Sequence, residues 1–93
     1  MKPRQGHTRW KAVVYEPGKV EGFDDSFVAY VYPCRVTKVL GGAIYYRCGY
    51  GGNLHAMPYI CSEVFWNTKT YPTYRKAFKA AMNALETKIR AME

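Results

Sequence analysis

No run of the chain comes near the roughly 20 consecutive apolar residues that a membrane-spanning helix needs. The charged start Met1-Lys2-Pro3-Arg4-Gln5-Gly6-His7 lacks the apolar stretch of a secretory leader. Histidine is scarce, with only His7 and His55. Gly-x-Ser-x-Gly, His-Glu-x-x-His and phosphate-loop patterns are all missing. A Cys48–His55 nucleophile and base would lack an orienting third residue, and the adjacent Asp24 and Asp25 would point to opposite faces of a strand. Cysteine is sparse and odd in number: Cys34, Cys48 and Cys61 form no close pair. That pattern is unlike a secreted disulfide scaffold and predicts free thiols in a reducing, cytoplasmic setting, with one disulfide plus a free thiol as the alternative. Cys34, Cys48, His55 and Cys61 are spaced too unevenly for a zinc site. The expectation is a non-enzymatic protein with no metal and no cofactor.

What is present is a packed globule. Ninety-three residues make one domain, 1–93, and 48% of them are apolar. Nine Tyr, four Phe and two Trp make the aromatic content dense, which excludes a disordered tail. The formal net charge of +7 favours acidic partners: nucleic acid, a nucleoprotein, or an acidic protein face.

The order of elements follows from periodicity and punctuation. Residues 1–7 read as a basic N-terminal arm, since Pro3 and Gly6 argue against helix. Thr8 to Tyr15 alternates, with Trp10, Ala12 and Val14 on one face and Arg9, Lys11 and Val13 on the other. Glu16-Pro17-Gly18 stops it and opens an acidic loop with Glu21, Asp24 and Asp25. Ser26 to Tyr32 is apolar or aromatic on both faces, as in a central strand, and Pro33 is expected to turn or bend the chain. Arg35–Leu40 and Ala43–Cys48 flank Gly41-Gly42, a strong hairpin signal because a two-residue turn needs positive φ. Gly49 to Asn53 reads as a loop. Leu54–Met57 and Tyr59–Trp66 read as extended segments broken at Pro58, a proline that suggests an edge strand.

Thr70 or Tyr71-Pro72 should open a helix over 71–92. Its stripe Tyr74, Phe78, Ala81, Met82, Leu85, Ile89 and Met92 must lie on the sheet. No internal repeat, heptad seam or low-complexity tract is evident. The predicted fold is α+β: an antiparallel meander of four to five strands within 8–66, packed on one long C-terminal helix.

A small antiparallel sheet followed by a helix resembles the DNA-binding domains at the amino end of some phage-type integrases. The resemblance is architectural: those domains use three strands, and no motif residue carries over. In size, basic start and lack of a catalytic pattern the chain is also similar to small phage-encoded proteins that bind and disable host machinery.

Three constellations suggest binding. Lys69, Arg75, Lys76 and Lys79 gather at the predicted start of the helix, where the partial positive charge of the dipole makes cations costly. Phosphate would repay that cost. Lys2, Arg4, Arg9 and Lys11 form a second basic group along the arm and first strand. Tyr30, Tyr32, Tyr45, Tyr46, Tyr50 and Tyr59 are interleaved with Arg35 and Arg47, on a sheet face that no helix should cover. Arg47-Cys48-Gly49-Tyr50-Gly51-Gly52 departs from the ribonucleoprotein pattern, which needs Gly directly after the basic residue. The leading expectation is nucleic-acid or nucleoprotein binding through the basic groups, with Tyr50 as a stacking residue. The rival is an inhibitor or adaptor that meets an acidic host protein surface through Tyr30, Tyr32, Tyr45 and Arg47. A homodimer formed by an edge strand near Leu54–Trp66 is a third expectation.

Overall fold

The computed structural model describes residues 2–49 and 59–92. Four strands run in chain order, β1 (Thr8–Tyr15), β2 (Val28–Leu40), β3 (Ala43–Cys48) and β4 (Tyr59–Ser62), followed by helices α1 (Glu63–Lys69) and α2 (Tyr74–Ala91). The strands form one antiparallel meander in the order β1-β2-β3-β4. The α+β architecture of a four-stranded meander with a C-terminal helix is therefore the one expected. The segment Leu54–Met57, with Tyr50, His55 and Pro58, lies outside the described residues.

Three local expectations need correction. Pro33 does not turn the chain, and β2 runs through it for 13 residues. Trp10, its partner on β1, directs its own N–H and C=O away from β2, to Tyr71. The donor that proline lacks would face Gly49, just past the last β2–β3 pair, and the Pro33 carbonyl still accepts from Gly49 N–H at 3.1 Å. Nor is the run Tyr59–Trp66 one extended segment, because the strand stops at Ser62. The Ser62 side chain accepts from Phe65 N–H at 3.1 Å, and Glu63 sits favourably in the first turn of α1. The β-forming residues Val64, Phe65 and Trp66 are overruled by the burial of Trp66. Finally, Thr70 does not open the long helix. It closes α1, donating to the Trp66 carbonyl, and α2 is capped by Thr73, whose side chain accepts from Lys76 N–H at 3.2 Å.

The hairpin is as read: Gly41 and Gly42 have φ of 57° and 84°, which a side chain would make costly. Beside it, Thr37 is the extra residue of a bulge between Val36↔Tyr46 and Lys38↔Tyr45.

Alternation along the strands divides the sheet into two faces, and each has a helix. The first carries Arg9 and Lys11 of β1, Tyr32, Cys34 and Val36 of β2, Ile44, Tyr46 and Cys48 of β3, and Cys61 of β4. Trp66 of α1 packs here, and with Cys34, Val36, Ile44, Tyr46 and Cys48 it forms the hydrophobic core. The second face carries Trp10, Ala12 and Val14 with Ala29 and Val31, and α2 lies over β1 and β2. Trp10 meets Tyr74 edge-on at 5.3 Å between ring centroids, and Ala77 and Ala81 are buried. Between the helices the chain rounds the border of β1, where Trp10 and Tyr71 exchange backbone hydrogen bonds of 2.8 and 2.7 Å.

Candidate nucleic-acid interface

The residues expected to bind phosphate fall into separate groups. Arg9 is a structural clamp. Its Nε donates to Thr70 Oγ1 at 2.6 Å, and its Nη2 donates to the carbonyls of Thr70 at 2.8 Å and Asn67 at 3.3 Å. These carbonyls end α1, so a cation there complements the dipole and satisfies orphan acceptors. Burial lowers the Arg9 pKa below its ordinary value, without approaching a neutral side chain.

The N-terminal segment is not an arm held out into solvent. Pro3 is buried, Gly6 N–H donates to the Val36 carbonyl, and Val36 N–H donates to the His7 carbonyl, each at 2.9 Å. Lys2 and Arg4 remain exposed on this anchored segment. Lys11 points into the first face, its Nζ 5.9 Å from the centroid of the Tyr59 ring. Lys69 sits in the last turn of α1, where a cation is favourable and no ligand is needed to explain it. Tyr50 lies outside the described residues.

Arg75, Lys76 and Lys79 do belong together. All are exposed, and at 3.6 residues per turn they fall within an arc of roughly 100° opposite the buried Ala77 and Ala81. The first turn of α2 holds no acid to offset them.

The two tyrosine–arginine groups of the rival reading separate. Tyr30 and Tyr32 lie on the face that α1 occupies, whereas Tyr45 and Arg47 lie on the α2 face, so the four cannot meet one flat partner together. Tyr46 is buried, stacked on Tyr59 at 5.4 Å and tilted against Trp66 at 5.2 Å. Burial first, then the nearby cysteines, pushes the Tyr46 hydroxyl above its ordinary pKa.

Separating the faces reveals a cluster that the chain order concealed. Arg35 and Arg47 are direct cross-strand partners on the α2 face, where like charges repel. Lys38 joins them from β2, its Nζ 4.7 Å over the ring of Tyr45. Gln5, Gly6, Arg35, Val36, Thr37 and Arg47 line a cleft of about 410 Å³. α2 rests on β1 and β2 rather than on β3, which carries Tyr45 and Arg47. Arg35 pairs with Thr8, two residues before Trp10, on which the start of α2 sits. The arginine pair is therefore about 7 Å along the strand from that contact, while Arg75, Lys76 and Lys79 stand on the outer side of the same helix start, turned away from the sheet. Among the described residues none of these six cations is ion-paired, and the ion pair present joins Glu86 to Arg90.

Neither a family model, nor a curated protein, nor a solved structure matches the chain. The reading of this surface rests on its own chemistry.

Two further features shape what the molecule can do. Cys34 and Cys48, directly opposed on β2 and β3, place their sulfurs 2.8 Å apart as free thiols. The hydrogen bond to Cys48, then burial, raises the Cys34 pKa, and the same bond lowers that of Cys48. Both sulfurs are buried in the core, which suits packing better than reactivity. Among the described residues no group of His, Cys, Asp or Glu is placed to hold a metal ion, and no helix is long and apolar enough to cross a membrane.

Proposed function

We propose that the chain binds the sugar-phosphate backbone of nucleic acid, without catalysis, through the face formed by β2, β3 and the start of α2. The observation that carries this reading is the in-register pair Arg35–Arg47. Two like charges at directly opposed positions of neighbouring strands cost energy that a bound anion would offset, and guanidinium matches phosphate geometry in a bidentate fork. Lys38 and the cations of α2 extend the positive surface in two directions, which suits a repeating polyanion better than a single small anion. Tyr45, already held under Lys38, presents a ring on which a base could stack. The acidic residues Glu16, Glu21, Asp24 and Asp25 are gathered in the β1–β2 connection, at the opposite end of both strands from Arg35 and Thr8.

Fluorescence anisotropy with short labelled duplex DNA, single-stranded DNA and RNA tests the proposal. Binding should weaken steeply as salt rises from 50 to 200 mM, in the manner of several released counterions. Arg35→Ala and Arg47→Ala should each lower the slope of log affinity against log salt by about 1. Lys88→Ala, about 20 Å along α2 from Arg75, should leave it unchanged. Absence of binding to all three probes at low salt refutes the proposal.

A further inference from the structure

The apolar stripe of α2 is wider than the part that the sheet covers. Ala77 and Ala81 are buried, whereas Phe78, Met82, Ile89 and Met92 remain 49, 43, 46 and 69% exposed. At 3.6 residues per turn the exposed set is centred about 80° round the helix from the alanines. Residues 86–92 are all exposed, so the last two turns run past the sheet. Met82, Leu85, Glu86, Ile89 and Arg90 line a shallow groove there, of about 400 Å³. The earlier expectation that the whole stripe lies on the sheet is thus corrected.

Phe78, Met82, Leu85, Ile89 and Met92 follow one another at steps of four, three, four and three. That is the spacing of a coiled-coil seam, contrary to the expectation that the chain holds none. Within α2 the charges beside the seam are Lys79 and Glu86, seven residues apart on one flank, and Lys88, which follows Tyr74 and Ala81 on the other. In a parallel pair of such helices Lys79 would meet the partner's Tyr74, and Glu86 would meet the partner's Ala81. In an antiparallel pair the same flank faces itself, so Lys79 meets the partner's Glu86, which already pairs with Arg90 of its own chain, and by symmetry the contact occurs twice. The layers that go with this register set Phe78 against the partner's Ile89 and Met82 against the partner's Leu85, each repeated. Ala81 and Lys88 fall on the side nearer the sheet, where the small side chain lets the helix axes approach.

We infer that α2 is a self-association surface on which a second copy of this chain docks antiparallel, through Phe78, Met82, Leu85 and Ile89, with Lys79 paired to the partner's Glu86. The contact is isologous and closes as a dimer. It uses the exposed side of the seam. It shares Lys79 with the nucleic-acid reading without resting on it, and differs from an edge-strand dimer.

Sedimentation equilibrium of the full chain over micromolar to millimolar concentration tests it. A monomer–dimer equilibrium is expected. Met82→Glu should weaken it by about a hundredfold or more, since each dimer would bury two unpaired carboxylates. Its melting curve at dilution should match the wild type, because Met82 is exposed in the single copy. Lys79→Glu should weaken association by about tenfold through like-charge contact. Adding Glu86→Lys to Lys79→Glu should restore wild-type association. A wild-type chain that stays monomeric at millimolar concentration, or a dimer indifferent to Met82→Glu, overturns the inference. Failure of the charge swap to rescue overturns the antiparallel register.

Discussion

Helix α1 has seven residues and buries a tryptophan to 1% exposure, whereas α2 has eighteen and buries two alanines. The short helix would be marginal in isolation, since a single turn or two cannot repay its nucleation. It exists because Ser62 caps one end, Arg9 and Thr70 close the other, and Trp66 fills the core between. The long helix depends on the sheet for less. Small residues let its backbone come close to β1 and β2, and its larger side chains are left facing outward. The short helix thus gives the core its largest side chain, whereas the long helix lies along β1 and β2 through small ones and offers its larger side chains as surface.

The sharpest way to break that contrast is at Trp66. Trp66→Ala should cost about 3–5 kcal/mol, much of the roughly 5–15 kcal/mol available to a domain, and chemical denaturation should register it as a collapse in midpoint. Trp66→Phe should cost far less than truncation. The indole Nε1 is buried without an acceptor among the described residues, so the smaller ring removes an unsatisfied donor along with some packing.

A smaller effect separates the two sides of α2. Ala81→Leu should destabilise by about 1–3 kcal/mol, because the added side chain must push the helix off the sheet. Phe78→Ala, at dilution, should cost about 1 kcal/mol or less: the ring is half exposed and keeps one stacking neighbour, Tyr74 at 6.1 Å. Equal losses at the two positions would mean that the stripe, rather than the alanine surface, seats the helix.

The mildest test uses pH on the core side. Tyr32 and Tyr46 have their hydroxyls pushed above the ordinary tyrosine value, burial being the first cause. In the unfolded chain they ionise near pH 10, while the folded protein still holds those protons. The folded state then binds more protons than the unfolded one, so stability should fall as pH rises past about 10. Tyr32→Phe should flatten that fall in a melting-temperature series, whereas Lys→Ala changes on α2 should not.

Much of the sheet was legible from the chain. Alternation in Thr8–Tyr15 assigned its faces, and Gly41-Gly42 marked the hairpin because only such a pair accepts those φ values cheaply. The short helix was not. Its cap, Ser62-Glu63, was present, but Val64, Phe65 and Trp66 carry β propensity, and the burial that outweighs it comes from residues far along the chain. The candidate surface was half legible. Clustering on α2 follows from helical spacing, yet the meeting of Arg35 with Arg47 depends on the register of β2 against β3 across a bulge at Thr37. Arg9 looked like a surface cation because the acceptors that hold it lie 58 and 61 positions away.

The crossing at Trp10–Tyr71 matters beyond its two hydrogen bonds. An exposed strand border invites other chains to add on, and many sheet proteins must spend charges or prolines to prevent it. Here the peptide that links the helices lies across that border at Trp10, so a foreign strand could pair there only after the linker was peeled away. Loosening Tyr71 and Pro72 would therefore open that stretch of the border, and aggregation on mild heating would be the expected symptom.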